Sequence, residues 1–460
     1  MQTFSAEWEN NIIINYFYLT TVIQSRCYAL CALLVFADFF ADSRGVFAQE
    51  KNWRFYEQAA RTAYKSGNMA DFARNLEQAL ELKPNHPRLM YNLAAGYTAQ
   101  AKYEGALKLL EKVAATGMVY PAAKNPLFAV LRDSLPFKAR FDACCKRFDV
   151  STKPVGTSTK VFRLAEKGLV TESVAYDPHE KAFYVSSVHK RKIVKITADG
   201  TASDFSRHTD GLWSVLGMKV DAKRRKLWVC TSAFPQMQGF DSTLKGRAAV
   251  SVYDLKTGTI AHRYYAPNDG RTHAFGDLAL HPKTGAALVS DSDSPTIFIA
   301  DEKRGILKEW LTGDAATLSS MQGLDFSSDG KVLFLADYSN GLFRINTQTK
   351  RIEHIGLPDS CVAAGTDGLY FFKGNLIGIQ NGTNPHRVVH FRLDKEQRRV
   401  EGMDILEANN TFFEEPTLGV LVGNALYYIA NSQWEKVNEK GVAAPEAAWK
   451  QHVVLKRELE

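Results

Sequence analysis

Two hydrophobic patterns divide the chain. Between residues 51 and 118, apolar residues recur with the period of amphipathic helices, whereas from Val161 onward short alternating apolar runs lie between turn signals. Residues 149–160 follow neither period and are rich in Ser and Thr, which indicates an exposed linker. The patterns predict a helical region at 49–148 and a mainly β domain at 161–460.

The helical region matches itself at an offset of about 34 residues, so that Ala60 corresponds to Ala94 and Leu76 to Leu110. Its stretch "LEQALELKPNHPRLMYNLAAGY" resembles the tetratricopeptide repeat. Two such units leave an apolar face uncovered, so residues 125–148 are expected to cap them. The resemblance implies a protein or peptide partner on the concave side. The alternative is that this region only stabilises or spaces the β domain.

The β domain repeats its strand groups about every 45 residues, which is typical of a propeller built from four-stranded blades. We therefore predict a six-bladed β-propeller, with five or seven blades as the alternative. An insertion at 232–249 is expected to cover one mouth of the channel, and residues 451–459 to pair with "KVFRLAE" and close the ring. The six units open at Glu172, Leu216, Gly276, Gln322, Asp367 and Glu415.

The opening residues are expected to form a ring at one end of the channel, because the first strand of each blade lines the axis. Glu172, Asp367 and Glu415 would bring three carboxylates together with the amide of Gln322. Such carboxylates raise one another's pKa unless a cation compensates them. Their oxygens suit a divalent metal, with Ca²⁺ expected first and Zn²⁺, Mg²⁺ or Mn²⁺ as alternatives. Asp277, one place past its ring position, is a weaker candidate.

Three stretches resemble the group of senescence-marker-protein, gluconolactonase and luciferin-regenerating propellers: "ESVAYDP", "QGLDFSSDGKVLFLADYSNGLFRI" and "DGLYFFKGNLIGIQNG". The resemblance covers roughly residues 161–459. It implies one divalent metal on Glu172, Gln322 and Asp367, with Asp367 also the catalytic base. Gln322 stands where the family has Asn, so Glu415 is a possible fourth ligand. Leu216 or its neighbour stands where a substrate-binding Asn is usual, which leaves the substrate-binding residues unassigned.

Other polar residues follow the second strands, and we expect them to cap turns and strand ends, which Asp and Asn do through nearby backbone groups. They are Asp291, Asp293, Asp337, Asn381, Asn384 and Asn431. His189, His273 and His386 fall in predicted loops, where solvent exposure is expected.

The formal net charge of +7 is spread along the chain without long basic runs or interleaved aromatics, which argues against a nucleic-acid partner. Motifs of serine hydrolases, nucleotide-binding loops and zinc proteases do not occur in the sequence. Cys144, Cys145, Cys230 and Cys361 lack metal-finger spacing and are expected to be small buried thiols.

Residues 1–48 have the pattern of a targeting segment: Arg26 precedes an apolar run at 27–37, and small residues follow near Ala48. We expect a signal peptide and export to the periplasm or the exterior. An uncleaved anchor is the alternative, and only then would the protein contact a membrane.

These observations predict an exported, divalent-metal-dependent hydrolase that acts on a small lactone or ester at the channel mouth. The alternative is a non-catalytic propeller that binds a small-molecule ligand or a protein. Propellers serve both purposes, so the fold does not decide between them.

Overall fold

The structure is a computed structural model that describes residues 52–302 and 304–460. The predicted targeting segment at 1–48 lies outside these residues. The described part forms one compact unit, in which helices precede a β-propeller. None of the described helices is long and apolar enough to cross a membrane.

The helical region consists of six described α-helices. They are α1 (Trp53–Lys65), α2 (Met69–Leu82), α3 (Pro87–Ala99), α4 (Tyr103–Ala115), α5 (Ala129–Asp133) and α6 (Leu135–Ser151), with 3₁₀ turns at Ala122–Lys124 and Pro126–Phe128. Helices α1 and α2 pack against each other, as do α3 and α4. The small buried residues Ala60 and Ala63 let α1 approach Phe72 and Leu76 of α2.

The predicted cap is formed mainly by α6, which packs on α4. Arg140 of α6 binds two carboxylates of α4, with distances of 2.7 Å from Nη1 to Glu104 Oε2 and 2.8 Å from Nε to Glu111 Oε1. Helix α6 runs into the residues predicted as a linker. Beyond it, the Val155 N–H donates to the carbonyl oxygen of Ala408, so the exposed connection is tied to the propeller edge.

The propeller contains twenty-four strands in six four-stranded sheets, which confirms the predicted six-bladed fold. Blade one is β2–β5 (Thr171–Asp177, Ala182–Ser187, Lys192–Ile196, Ala202–Asp204), blade two β6–β9 (Ser214–Asp221, Lys226–Ser232, Ala248–Asp254, Thr259–Tyr265) and blade three β10–β13 (Phe275–Leu280, Ala287–Asp291, Thr296–Asp301, Ile306–Thr312). Blade four is β14–β17 (Met321–Phe326, Val332–Asp337, Gly341–Asn346, Ile352–His354) and blade five β18–β21 (Thr366–Phe372, Asn375–Gln380, Arg387–Leu393, Val400–Ala408). Blade six is β22–β24 (Gly419–Val422, Ala425–Ile429, His452–Glu458) completed by β1 (Thr159–Leu164).

The ring closes through blade six, whose strand order is β1-β24-β23-β22. Strand β1 pairs antiparallel with β24, from Thr159 opposite Lys456 to Leu164 opposite His452. The predicted closure is therefore confirmed. Because β1 comes from the start of the β domain, this pairing removes the free edge that an open sheet would leave.

Apolar side chains fill the spaces between blades. One cluster between blades two and three contains Trp228, Tyr264 and Phe298, all nearly inaccessible. Cys230 lies in the same cluster, and the four cysteines of the described chain are free. Three of the four are buried, whereas Cys145 is partly exposed.

The helices dock on blades four and five. Arg54 Nη2 donates to Ser339 Oγ at 2.6 Å, and Lys83 Nζ donates to Asn340 Oδ1 at 2.8 Å. The connection after α4 also contacts blade five, where Arg387 is fully buried. The helical region is thus packed on the propeller rather than held only by its covalent link.

Candidate functional site

The inner strands of the first five blades share a β-bulge near their start. In β2 the register shifts between Thr171 and Val174, and equivalent shifts occur in β6, β10, β14 and β18. A bulge inserts an extra residue and re-aims the side chains around it. The predicted ring residues of these blades fall within the bulges. They are Glu172, Leu216, Gly276, Gln322 and Asp367.

Glu415 does not occupy the corresponding place in blade six. The inner strand of that blade is Gly419–Val422, and Glu415 precedes it with a left-handed φ of 61°. Pro416 follows Glu415 and has no N–H to donate to a strand ladder, so the strand begins later than the sequence alignment indicated. Within residues 52–302 and 304–460, no group of three or more His, Cys, Asp or Glu side chains is placed to hold a metal. The predicted set of Glu172, Asp367 and Glu415 is not among such groups, and its binding of a metal stays a prediction.

Glu172 lies beneath a loop of blade six. Its Oε2 accepts a hydrogen bond from Trp434 Nε1 at 2.6 Å. Trp434 is itself buried, and its ring packs edge-on against Phe234 from the insertion of blade two. The insertion and the loop after β23 also meet where Gly441 approaches the carbonyl oxygen of Pro235. Two loops therefore cover this end of the channel beside Glu172.

Asp367 is buried, with 6% of its surface exposed, and it is held by a neighbouring amide. Its Oδ2 accepts from Asn381 Nδ2 at 2.7 Å, and Asn381 Oδ1 accepts from the Tyr338 hydroxyl at 3.0 Å. Asn381 was predicted to cap a strand end, but its side chain orients Asp367 instead. Sequence reasoning missed Tyr338, although it follows the second strand of blade four as Asn381 follows that of blade five.

Gln322 extends towards the neighbouring blade. A Cβ atom at Gly276 would lie 3.7 Å from Gln322 Oε1, so the missing side chain leaves room for the longer amide. Two carboxylates and one amide oxygen on blades one, four and five are hard oxygen donors of the kind that Ca²⁺ and Mg²⁺ prefer. Trp434 donates a hydrogen bond to Glu172, and Asn381 donates one to Asp367. Such donors are typical of the groups that orient metal ligands. The chemistry of Glu172, Gln322 and Asp367 thus fits a divalent cation.

Two of the predicted turn caps are confirmed. One oxygen of Asp337 accepts the backbone N–H groups of Ser319 and Ser320, both at 2.7 Å, while the other binds those of the turn that follows. Asp291 accepts the N–H groups of Ala274 and Asp293 at 2.9 and 3.0 Å. Both oxygens of Asp337 thus bind the backbone, whereas Asp291 uses one oxygen for the backbone and the other for side chains.

The predicted exposure of two histidines is wrong. His273 and His189 are both buried. A partner satisfies each ring there, since His273 Nδ1 lies 2.7 Å from Asp291 Oδ2 and His189 Nδ1 lies 2.6 Å from the carbonyl oxygen of Gln236. His386 is only partly exposed, and burial lowers its pKa. The rings of His273 and His189 each hold two segments of the fold together.

Lys219 and Asp325, which the sequence did not single out, lie inside the channel with Asp277, the weaker metal candidate. Lys219 Nζ is 3.6 Å from Asp277 Oδ2, and it also lies 5.4 Å from the ring centre of Tyr370. Asp325 accepts the N–H groups of Phe326 and Phe371, both at 2.8 Å, and burial raises its pKa to about 6. These four residues all lie on the innermost strands of their blades. Only their assignment to this innermost layer could have indicated that they share one environment.

The inner strands approach one another closely at this level. A Cβ atom at Gly217 would lie 2.5 Å from Asp277 Oδ1, and one at Gly323 would lie 2.4 Å from the carbonyl oxygen of Asp367. Such distances leave no room for a side chain. The two glycines therefore allow neighbouring blades to close around the axis.

No protein-family model matches the chain, and no curated protein matches it. Solved structures share its propeller architecture. A gluconolactonase from Xanthomonas campestris is 14% identical over 66% of this chain and 98% of its own, with a TM-score of 0.44. A PQQ-bound aldose sugar dehydrogenase from Streptomyces coelicolor is 11% identical over 66% and 99%, also with a TM-score of 0.44. A nidogen/laminin complex gives 16% identity over 51% and 80%, with a TM-score of 0.39.

These likenesses concern the architecture only. At such identities and TM-scores they carry no argument about activity, and proteins as different as a lactonase and a dehydrogenase share the fold. Any assignment of function has to come from the residues of this chain.

Proposed function

We propose that this protein hydrolyses a small lactone or ester at the end of the channel that contains Glu172 and Asp367. The observation that carries the proposal is the buried carboxylate of Asp367, held through Asn381 by the Tyr338 hydroxyl. A general base works best when hydrogen bonds fix its position and water is limited around it.

Glu172, Gln322 and Asp367 would hold a divalent cation, with Ca²⁺ as the first expectation. When bound, such a cation supplies Lewis-acid polarisation of a carbonyl oxygen. Asp367 accepts the proton of the attacking water. Asn381 keeps one carboxylate oxygen in place, and Tyr338 fixes which way the amide of Asn381 points, because its hydroxyl donates to the amide oxygen.

A second candidate is a non-catalytic binding propeller, and one observation favours it. Leu216 stands where the related family has a substrate-binding Asn, and it is 3% exposed within an apolar cluster. This side chain offers no hydrogen bond to a substrate. The tetratricopeptide resemblance of the helices supports a protein or peptide partner, and the pattern at 1–48 supports export to the periplasm or the exterior.

The test is a screen of aldonolactones and aryl esters with and without EDTA, using the protein and its Asp367→Asn variant. We expect EDTA-sensitive hydrolysis that falls by about 100-fold or more in Asp367→Asn. The matched control is Glu435→Gln, an exposed carboxylate on the covering loop, which should retain the rate. Hydrolysis that persists in Asp367→Asn would contradict the assigned base.

Metal content separates the two candidates further. Glu172→Ala and Asp367→Ala should each reduce uptake of Ca²⁺, measured by calorimetry on the full chain. If both variants bind Ca²⁺ as the parent does, the metal site is wrong. Ca²⁺ uptake without hydrolysis of any screened substrate would favour the binding propeller.

A further inference from the structure

A cavity lies at the end of the channel opposite Glu172. It has a volume of about 410 Å³, and its lining includes Tyr176, Lys219 and Asp325 together with apolar residues of β22. Tyr176 lies near the end of β2, whereas Glu172 lies near its start. Four residues of extended strand separate the two by about 13 Å. The cavity is therefore distinct from the site proposed for hydrolysis.

The charges around this cavity do not balance. Asp325 lines it, and Asp277 is buried beside Lys219, whose ammonium acts on its carboxylate together with the backbone N–H groups of Leu278 and Leu324. Lys219 is the cation that faces both, and Tyr370, the other titratable group of this layer, is a neutral phenol whose pKa burial raises. Ionising both carboxylates would leave one negative charge beyond that of Lys219 in a poorly solvated place, so burial raises the pKa of both, and a further cation would stabilise their ionised forms.

The rest of the lining is apolar. Val420 and Leu421 of blade six, Leu280 of blade three and Pro178 of blade one contribute apolar surface to it. An inorganic ion would leave this apolar surface without a partner, whereas a compact hydrocarbon group would cover it. An anion directed at Lys219 would meet the carboxylate of Asp325 in the same cavity. The lining thus combines an anionic group with an apolar surface.

We propose that this cavity binds a small organic cation, with an ammonium group beside Asp325 and an apolar body against Leu421. Lys219 stays paired with Asp277, and the ammonium group of the ligand balances the carboxylate of Asp325. The site is independent of the proposed hydrolytic function, since it uses neither Glu172 nor Asp367.

The test compares benzylamine, which is a cation at neutral pH, with benzoate, which has the same ring and the opposite charge. Calorimetric titration of the full chain should show binding of benzylamine and none of benzoate. Asp325→Asn should weaken benzylamine binding by at least about 10-fold. Glu396→Gln, an exposed carboxylate of blade five, should leave it unchanged.

Two further variants keep the proposal testable if Asp325→Asn folds poorly. Leu421→Trp fills the cavity from a partly exposed position and should abolish binding, whereas Asp367→Asn, at the other end of the channel, should not alter it. Binding of benzoate that Lys219→Met removes would identify an anion site and overturn the proposal. So would failure of benzylamine to bind the parent, or binding that Asp325→Asn and Leu421→Trp both leave intact.

Discussion

Arg387 offers a direct test of how the helices are attached to the propeller. Its Nη1 donates to the carbonyl oxygen of Thr116 at 2.9 Å, and its Nε donates to Gln380 Oε1 at 2.7 Å. The side chain is fully buried, Nη2 has no hydrogen-bond partner in the described chain, and burial lowers the pKa to about 10. We therefore consider Arg387→Met, which keeps much of the volume and removes the donors.

Two opposing effects set the size of the change. Each hydrogen bond from a charged donor contributes about 1.5–3 kcal/mol, and its loss leaves a buried acceptor without a partner. Removing a guanidinium that has no ion pair among residues 52–302 and 304–460 offsets part of this loss, because burying an unpaired charge is costly. We expect the free energy of unfolding to fall by about 2–4 kcal/mol.

Urea unfolding measures this change, and hydrogen exchange locates it. The Val119 N–H donates to the carbonyl oxygen of Asn384 at 2.8 Å, next to the Arg387 contact, and should exchange faster in Arg387→Met. The control is Arg392→Met on the same strand, whose exposed guanidinium contacts Asp404 and whose loss should cost less than about 1 kcal/mol. If Arg387→Met is as stable as Arg392→Met and Val119 stays protected, the reasoning is refuted.

Two other predictions concern closure of the ring and the approach of its blades. Burial lowers the pKa of His452 to about 4 in the folded chain, whereas the unfolded chain protonates this ring at about pH 6.5. The free energy of unfolding therefore falls as the pH is lowered from about 6.5 towards 4. His452→Gln should flatten this decline when urea titrations are repeated across the same pH range. If the free energies of unfolding of the variant and the parent fall in parallel with pH, the prediction is wrong. Gly323→Ala places a methyl group against the backbone of Asp367 and should lower the free energy of unfolding by about 1–3 kcal/mol. An alanine variant as stable as the parent in the same urea assay would show that the blades can separate there.

The sequence predicted the blades and their closure because both depend on strong local signals. Alternating apolar residues mark each strand, and the repeated openings mark each blade, so Glu172, Gln322 and Asp367 were placed at one register. The register of Glu415 was misplaced because the alignment assumed that blade six begins like the others, whereas its inner strand starts only at Gly419. A proline beside a loop breaks the periodicity on which that alignment relied.

The contacts inside the channel had no such signal. Lys219 and Asp277 belong to different blades, and a single polar residue in a strand is also compatible with solvent exposure. His189 was misjudged for a related reason, since its partner is the backbone of Gln236, 47 residues away. Partners of this kind are defined by the packing of blades and loops, which a hydrophobic pattern does not report.

The pairing of β1 with β24 also constrains when the propeller can form. Arg457 contacts Thr157 across 300 residues of sequence, so the first strand of the β domain has no neighbour in its own sheet until the last strand has been synthesised. The helices and blades one to five emerge from the ribosome before that event. An incomplete chain therefore exposes strand edges during synthesis, and assembly of the ring should be the late, slow step at which aggregation competes with folding.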